Sequence, residues 1–329
     1  MKAPVLEVEG LKTYFFTRKG VVKAVDEVSF ALHPGEILGL VGESGAGKSI
    51  TGFSILRLID EPGRIVAGRI IFEGRKLLSL PEAALEDIRG NRIAMVFQDP
   101  QTSLDPVFTI GYQIVETLTA HQRMTRARAR RRAVQLLRSV GIPSADDRFN
   151  DYPHQFSGGM RQRVVIAIAM ASNPSLIIAD EPSTALDVTI QAQVLTLMRR
   201  LVRQKDTAMM LITHDIALVG QFCDTICVMY AGRLVEKGPK MEVIRHPAHP
   251  YTQGLIRSLP GRAMDEGVQT TRRRLSQIPG MMPNLIDLPP GCAFAPRCAV
   301  RTDACSNRPA LVEVAPGHLA ACRSLEGHP

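Results

Sequence analysis

Residues 36–59 read EILGLVGESGAGKSITGFSILRLI. An apolar run stops at Gly42, a glycine-rich stretch follows, and apolar residues resume at helical spacing after Lys48. The segment therefore predicts a buried strand, a tight turn and a helix. Inside it Gly42, Glu43, Ser44, Gly45, Ala46, Gly47, Lys48 and Ser49 spell the G-x-x-x-x-G-K-[ST] phosphate loop, in the strand-to-helix setting its chemistry needs. Glycines let successive backbone N–H groups point at phosphate oxygens, and the helix N-terminus adds partial positive charge. Lys48 is predicted to reach the β- and γ-phosphates, and Ser49 to ligate Mg²⁺.

Working towards the N-terminus, VLEVEGL, TYFFT and VVKAVDEVSFAL read as short strands of an antiparallel layer, closed by His33-Pro34-Gly35. Working outward the other way, GRIIFEGRKL gives another strand pair. From Leu104 the period turns helical, with Ile110, Ile114, Val115 and Leu118 on one stripe and Val134, Leu136 and Leu137 on another. RVVIAIAMA then reads as a buried helix, PSLIIAD and AMMLITHD as buried parallel strands, and DTICVMYAGRLVEKG as two strands with a hairpin at Ala231-Gly232. Alternating strands and helices imply a mostly parallel, covered sheet. From about Pro247 the chain becomes Pro- and Gly-rich, and four of its six cysteines lie in the tail, which predicts a second, small domain in want of a covalent or metal staple.

The 329 residues are 45% hydrophobic and 22% charged, with no Trp, a globular composition that excludes disordered, collagenous and coiled-coil chains. The longest apolar run, Val164 to Ala171, is eight residues, against the roughly 20 that a membrane-spanning helix needs. The first residues lack the apolar stretch of a secretory signal, which predicts a cytoplasmic protein. The net charge of +8 is concentrated in Arg123 to Arg138 and Arg272 to Arg274. The first run lacks interleaved aromatics for base stacking, so a solvated helix face rather than a nucleic-acid site is expected there, with contact to anionic lipid headgroups as the lesser alternative.

LIIADE, residues 176–181, ends an apolar strand in two carboxylates: Asp180 is placed to hold Mg²⁺ and Glu181 to polarise an attacking water. QFSGGMRQR carries Ser157, Gly158, Gly159 and Met160 just before the buried helix. The phosphate loop, this SGGM segment, LIIADEP, STALD (Ser183 to Asp187) and Thr213-His214 occur in the order found in ATP-binding-cassette (ABC) ATPases, and with Gln98 they span residues 1 to about 240. The chain resembles that family. The resemblance implies a P-loop NTPase fold of α/β class: a RecA-like mostly parallel sheet, an antiparallel β layer and an inserted α-helical subdomain at about 104–157. The cassette is expected over 1–246 and a Cys-containing extension over 247–329.

What the resemblance implies for residues is specific. Gln98 in VFQDP matches the glutamine loop that links Mg²⁺ and water to the helical subdomain, and His214 matches the switch histidine at the γ-phosphate. ATP would be bound by Gly42 through Ser49 with Ile50, and adenine would stack on Phe15, with Tyr14 and Phe16 as competitors. Ser157, Gly158, Gly159 and Met160 would bind the γ-phosphate of ATP held by an opposing subunit, and Asp187 would contact that subunit. Phe156 and Met160 replace the leucine and glutamine of the commoner LSGGQ. Since Glu181 and His214 are both present, a hydrolysing enzyme is expected, with Lys48, Gln98, Glu181 and His214 as its catalytic set.

FSGGM, HPYTQGLIRSLP (His249 to Pro260) and the GCAFAPRC tail resemble the oligopeptide/dipeptide importer ATPases, a family that includes nickel importers. The implied function is ATP-driven peptide import, the alternative a nickel or other small-solute importer, and less favoured a nucleic-acid-linked ABC ATPase. Implied partners are a second, related ATPase subunit, two membrane permeases and a substrate-binding protein, with no nucleic acid, at the cytoplasmic face of the membrane. Cys292, Cys298, Cys305 and Cys322 follow C-x5-C-x6-C-x16-C. Thiolates in that number suit tetrahedral Zn²⁺ or an iron–sulfur cluster, with free thiols as the third choice. Resemblance to importer ATPases with cluster-bearing tails implies [4Fe-4S]. Cys223 and Cys227 lie in apolar surroundings and are expected in the core.

Overall fold

The computed structural model describes residues 3–183, 186–259 and 277–322. Arg272 to Arg274, Pro260, and Thr184 and Ala185 of the STALD stretch lie outside them. By compactness the chain forms two units. One holds residues 1–7, 31–37 and 71–212, and the other residues 8–30, 38–70 and 213–329.

β1 (Leu6–Thr17) and β2 (Gly20–Leu32) form a long hairpin, and β1 sits between β2 and β4 (Gly63–Phe72). The two short strands expected at VLEVEGL and TYFFT are one. Gly10 adopts φ 56°, and its N–H donates to the Ser29 hydroxyl, so the chain kinks without leaving the sheet. β3 (Ile37–Val41) is buried at every residue and leads into α1 (Lys48–Ile55). A buried hydrogen bond of 2.8 Å between the Thr13 and Ser54 hydroxyls ties α1 to β1.

After β5 (Arg75–Lys76), α2 (Glu82–Glu86), β6 (Ile93–Val96) and α3 (Pro100–Ser103), the expected helical region appears as α4 (Ile110–His121), α5 (Arg126–Ser139) and α6 (Ala145–Arg148). Thr109 and Thr125 cap the first two, each hydroxyl accepting an N–H of the first turn. α4 buries Ile110, Ile114 and Leu118, and α5 buries Ala129, Ala133, Val134, Leu136 and Leu137. The α5 arginines are exposed, apart from the partly buried Arg132, and the exposed Arg130 lies 4.4 Å from the Phe149 ring centre.

α7 (Gly158–Ala169) then leads to β7 (Leu176–Asp180), α8 (Val188–Lys205) and β8 (Ala208–Thr213). β7 lies parallel between β6 and β8, with Ile178 opposite Met95 on one side and Met210 on the other. Both β7 and β8 are buried throughout, as the uninterrupted apolar runs required.

α9 (Ile216–Phe222) precedes β9 (Thr225–Tyr230), which pairs parallel with β3, and β10 (Arg233–Pro239), which returns antiparallel. Ala231 and Gly232 have φ 48° and 82°, the two left-handed residues that a two-residue hairpin takes. α10 (Lys240–Arg245) and α11 (Pro250–Arg257) follow. In the tail β11 (Val312–Ala315) pairs with β12 (His318–Ala320), and β12 pairs with β10, placing Ala320 opposite Glu236. Cys223 and Cys227 are fully buried, and burial pushes the Cys223 thiol up.

Candidate functional site

The phosphate loop leaves the buried end of β3 and enters α1 through Gly47 at φ 100°. Its glycines are steric necessities. A Cβ on Gly42 would lie 2.2 Å from the Met229 carbonyl oxygen, and one on Gly47 would lie 2.0 Å from that of Ala24. Ser44 and Gly45 are exposed, while Lys48 is only 5% exposed. The Lys48 ammonium curls back over the loop and donates to the carbonyl oxygens of Gly42 (2.9 Å) and Glu43 (3.1 Å). An ammonium held beside the N-terminus of a helix, with Ser49 in its first turn, is chemistry that suits a polyanion.

In the other unit, β7 delivers Asp180, 4% exposed, at its end in register with Ile212. Glu181 follows at φ 44°, a left-handed conformation fixed by its N–H donating to the Ile212 carbonyl at 2.9 Å. Its Oε2 accepts a 3.2 Å hydrogen bond from Gln98 Nε2, so the structure brings together two residues 83 positions apart that the sequence singles out separately.

Ser157 caps α7, its hydroxyl accepting from the Met160 N–H. Ser157 and Gly158 are exposed, Gly159 and Met160 are half-buried, and Phe156 is packed inside under the Arg148 guanidinium. The first turn of α7 is thus an open helix N-terminus without acidic side chains. Asp187 caps α8, accepting from the Ile190 N–H at 3.0 Å. His214 is exposed, directly after β8 and before Asp215, which caps α9.

The three candidate aromatics differ. Tyr14 donates its hydroxyl to Asp26, and burial together with that carboxylate pushes its phenol up to about 12. Phe15 is half-buried against Gly63, and Phe16 is 47% exposed with the Arg64 guanidinium 6.0 Å from its ring centre.

Tyr251 and Arg297, both from beyond residue 246, make polar contacts with the loop, and neither is singled out in the sequence. The Tyr251 hydroxyl accepts the Glu43 N–H at 2.9 Å, and Arg297 forms an ion pair with the Glu43 carboxylate. The HPYT spelling hinted at Tyr251, but a single arginine among 31 gave no hint of Arg297. Tyr251 is placed by α11, whose cap is His249: Nδ1 accepts the Tyr251 N–H at 3.0 Å. This needs a neutral ring, and burial lowers the His249 pKa from 6.5 to about 4. The unfolded chain takes up this proton below pH 6.5, and the folded chain refuses it until about pH 4. Stability is therefore lost as pH falls through that window, by up to about 3 kcal/mol. In His249→Asn, which can still cap, the drop in melting temperature between pH 7.5 and 5 should be smaller than in the parent chain; equal drops would exclude this residue as the cause.

The iron–sulfur and metal-binding expectation for the tail is corrected. Among the described residues no group of three or more His, Cys, Asp or Glu is placed to hold a metal ion. Cys292, Cys298, Cys305 and Cys322 do line one space with His249 and Phe294, but its volume is only about 10 Å³, room for a single water at most. Burial pushes the Cys292 and Cys298 thiols up, away from the thiolate a metal requires. Chain spacing brought the cysteines near one another; apolar packing around Phe294 closed the space between them.

The ABC transporter family matches residues 25–184, and the family described as oligopeptide/dipeptide transporter, C-terminal region, matches residues 235–305. The oligopeptide transport ATP-binding protein OppD of Salmonella typhimurium is 47% identical over 318 residues, 97% of this chain and 93% of that one. The dipeptide transport ATP-binding protein DppD of Escherichia coli is 45% identical over 319 residues, 97% of this chain and 96% of that one. Among solved structures, an ATP-binding cassette dimer in a post-hydrolysis state with ADP and Pi matches with TM-score 0.64 at 26% identity, over 71% of this chain and 98% of that one.

Proposed function

This chain belongs to the ABC transporter ATPases and carries the C-terminal region of their oligopeptide/dipeptide members, and on that premise we propose how its residues share the work. The chain is an ATP-hydrolysing subunit of an ABC peptide importer, a reading carried by likeness to OppD and DppD over nearly its whole length.

The residues fit ATP and Mg²⁺. The loop is a cradle that any Cβ at Gly42 or Gly47 would fill, with a buried ammonium at its centre, and Ser49, Gln98 and Asp180 offer the oxygen donors that a hard cation takes. Bound with ATP, Mg²⁺ supplies charge neutralisation on the phosphates. In our reading the loop amides and Lys48 hold the phosphate chain, with Ile50 in the same turn and Phe15 against the adenine. Glu181 takes the proton of the attacking water. Gln98, donating to its Oε2, fixes the carboxylate's orientation, and His214 donates to the γ-phosphate.

The open N-terminus at Ser157, Gly158, Gly159 and Met160 suits a phosphate offered by a second ATPase subunit, with Asp187 at that contact. We take residues 1–246 as the nucleotide-binding domain, with the helical subdomain over 104–157 passing motion to two permeases, and 247–329 as the extension. Among the described residues no helix is long and apolar enough to cross a membrane. From the likeness to OppD and DppD we read the chain as peripheral at the cytoplasmic face, with a related but different ATPase as partner and a binding protein delivering substrate. In a strain lacking this gene, uptake of short peptides should fall and return with the wild-type copy. Loss of nickel uptake with peptide uptake intact would favour the alternative importer class.

A further inference from the structure

We propose that Arg297, in the tail between Cys292 and Cys298, is a positioning residue for ATP binding that acts through Glu43 on Lys48. The proposal rests on the reading that residues 42–49 hold the ATP phosphates.

Glu43 is the second residue of the phosphate loop, and its groups face different partners. Its N–H donates to the Tyr251 hydroxyl. Its carbonyl oxygen, with that of Gly42, accepts from the Lys48 ammonium. Its carboxylate accepts two hydrogen bonds from one guanidinium, 2.8 Å from Arg297 Nη1 to Oε2 and 3.1 Å from Nη2 to Oε1. Whatever fixes Glu43 therefore bears on a carbonyl that accepts from the Lys48 ammonium.

Arg297 is itself held on every side. Its Nε donates to the Pro279 carbonyl at 2.8 Å, Nη1 also donates to the Tyr230 hydroxyl at 3.3 Å, and the guanidinium lies about 6 Å from the ring centres of Tyr230 and Phe294. Its side chain is 7% exposed and that of Glu43 is 28% exposed, so the pair is partly shielded from water. A planar fork meeting a carboxylate in this way fixes direction as well as charge.

The chemistry requires such a partner. A carboxylate in a loop built for a triphosphate repels the ligand unless it is neutralised and turned away. Arg297 does both, and so couples the packing of the tail to the charge that ATP meets. Removing it frees an anion beside the phosphates, where it competes with them for the Lys48 ammonium.

The test is equilibrium binding of ATP to the purified full chain at low temperature, with Lys48→Ala as the reference for the loop's role. Arg297→Ala should weaken ATP binding about tenfold, a loss typical of a broken charge-assisted pair. Arg297→Lys, which keeps the charge without the fork, should fall between the two. Glu43→Gln added to Arg297→Ala should recover most of the lost affinity, although the contacts of Arg297 with Tyr230, Phe294 and Pro279 are still missing. Arg297→Ala binding as well as the parent while Lys48→Ala has lost ATP would overturn the proposal alone. So would a double variant as weak as Arg297→Ala, since the arginine would then serve packing only. Lys48→Ala binding ATP like the parent would remove the premise itself.

Discussion

Glu181→Gln should lower ATP turnover in the assembled transporter by about 100-fold or more while leaving ATP bound. The substitution keeps shape: the amide oxygen it introduces can still accept from Gln98 Nε2, and the backbone N–H to Ile212 is untouched. What disappears is the one group at that position able to take a proton from water. Loss of rate with retained affinity is the signature of an interaction made in the transition state. The measurement is single-turnover hydrolysis of bound ATP in parent and variant complexes. Wild-type hydrolysis by the variant would remove Glu181 from the role of base.

The parts most legible in the sequence are those whose chemistry tolerates few residues. Gly42 and Gly47 are spelled as they are because backbone oxygens of Met229 and Ala24 stand where a side chain would go. Ala231-Gly232 was readable as a turn because two successive left-handed residues leave little choice. The division of VLEVEGL from TYFFT fails for the complementary reason: nothing local requires a turn at Lys12, and even Gly10 only bends a strand 12 residues long. The cysteine tail misled more seriously. C-x5-C-x6-C-x16-C describes distances along the chain, whereas metal binding depends on ionisation and open space, and the apolar packing around Phe294 supplies neither. Contacts such as Glu43 with Arg297, 254 positions apart, leave no local trace, because each partner alone is an ordinary charged residue.

Glu236 is the extreme of that kind, and its replacement should cost the most stability. In the sequence it is one polar residue in VEKG; in the fold it is fully buried on β10. Its Oε1 accepts from the Ala248 N–H at 2.8 Å and from His318 Nε2 at 2.7 Å, and its Oε2 accepts from the His249 N–H at 2.9 Å. One carboxylate thus satisfies the entry to α11 and the start of β12, two segments that each position a side chain on the loop or against its neighbours. Glu236→Ala strands three donors at once, those of His249 and His318 on buried residues and that of Ala248 on a half-buried one, and should cost about 3–5 kcal/mol, since each unsatisfied buried donor costs about 1–3 kcal/mol. Glu236→Gln keeps the volume and one acceptor oxygen but turns an NH₂ towards a donor, so it should cost less. The loss should be local first. Hydrogen exchange should rise at the amides of Ala248, His249, Leu319 and Ala320 before β3 or β9 is affected, because among the described residues β12 joins the sheet through β10, with β11 at the edge beyond it. ATP affinity should fall in parallel, since α11 carries Tyr251 and the same opening releases its hydroxyl from the Glu43 N–H. Unchanged exchange at these amides in Glu236→Ala, with an unchanged melting temperature, would show that water replaces the carboxylate without penalty and that the tail is anchored elsewhere.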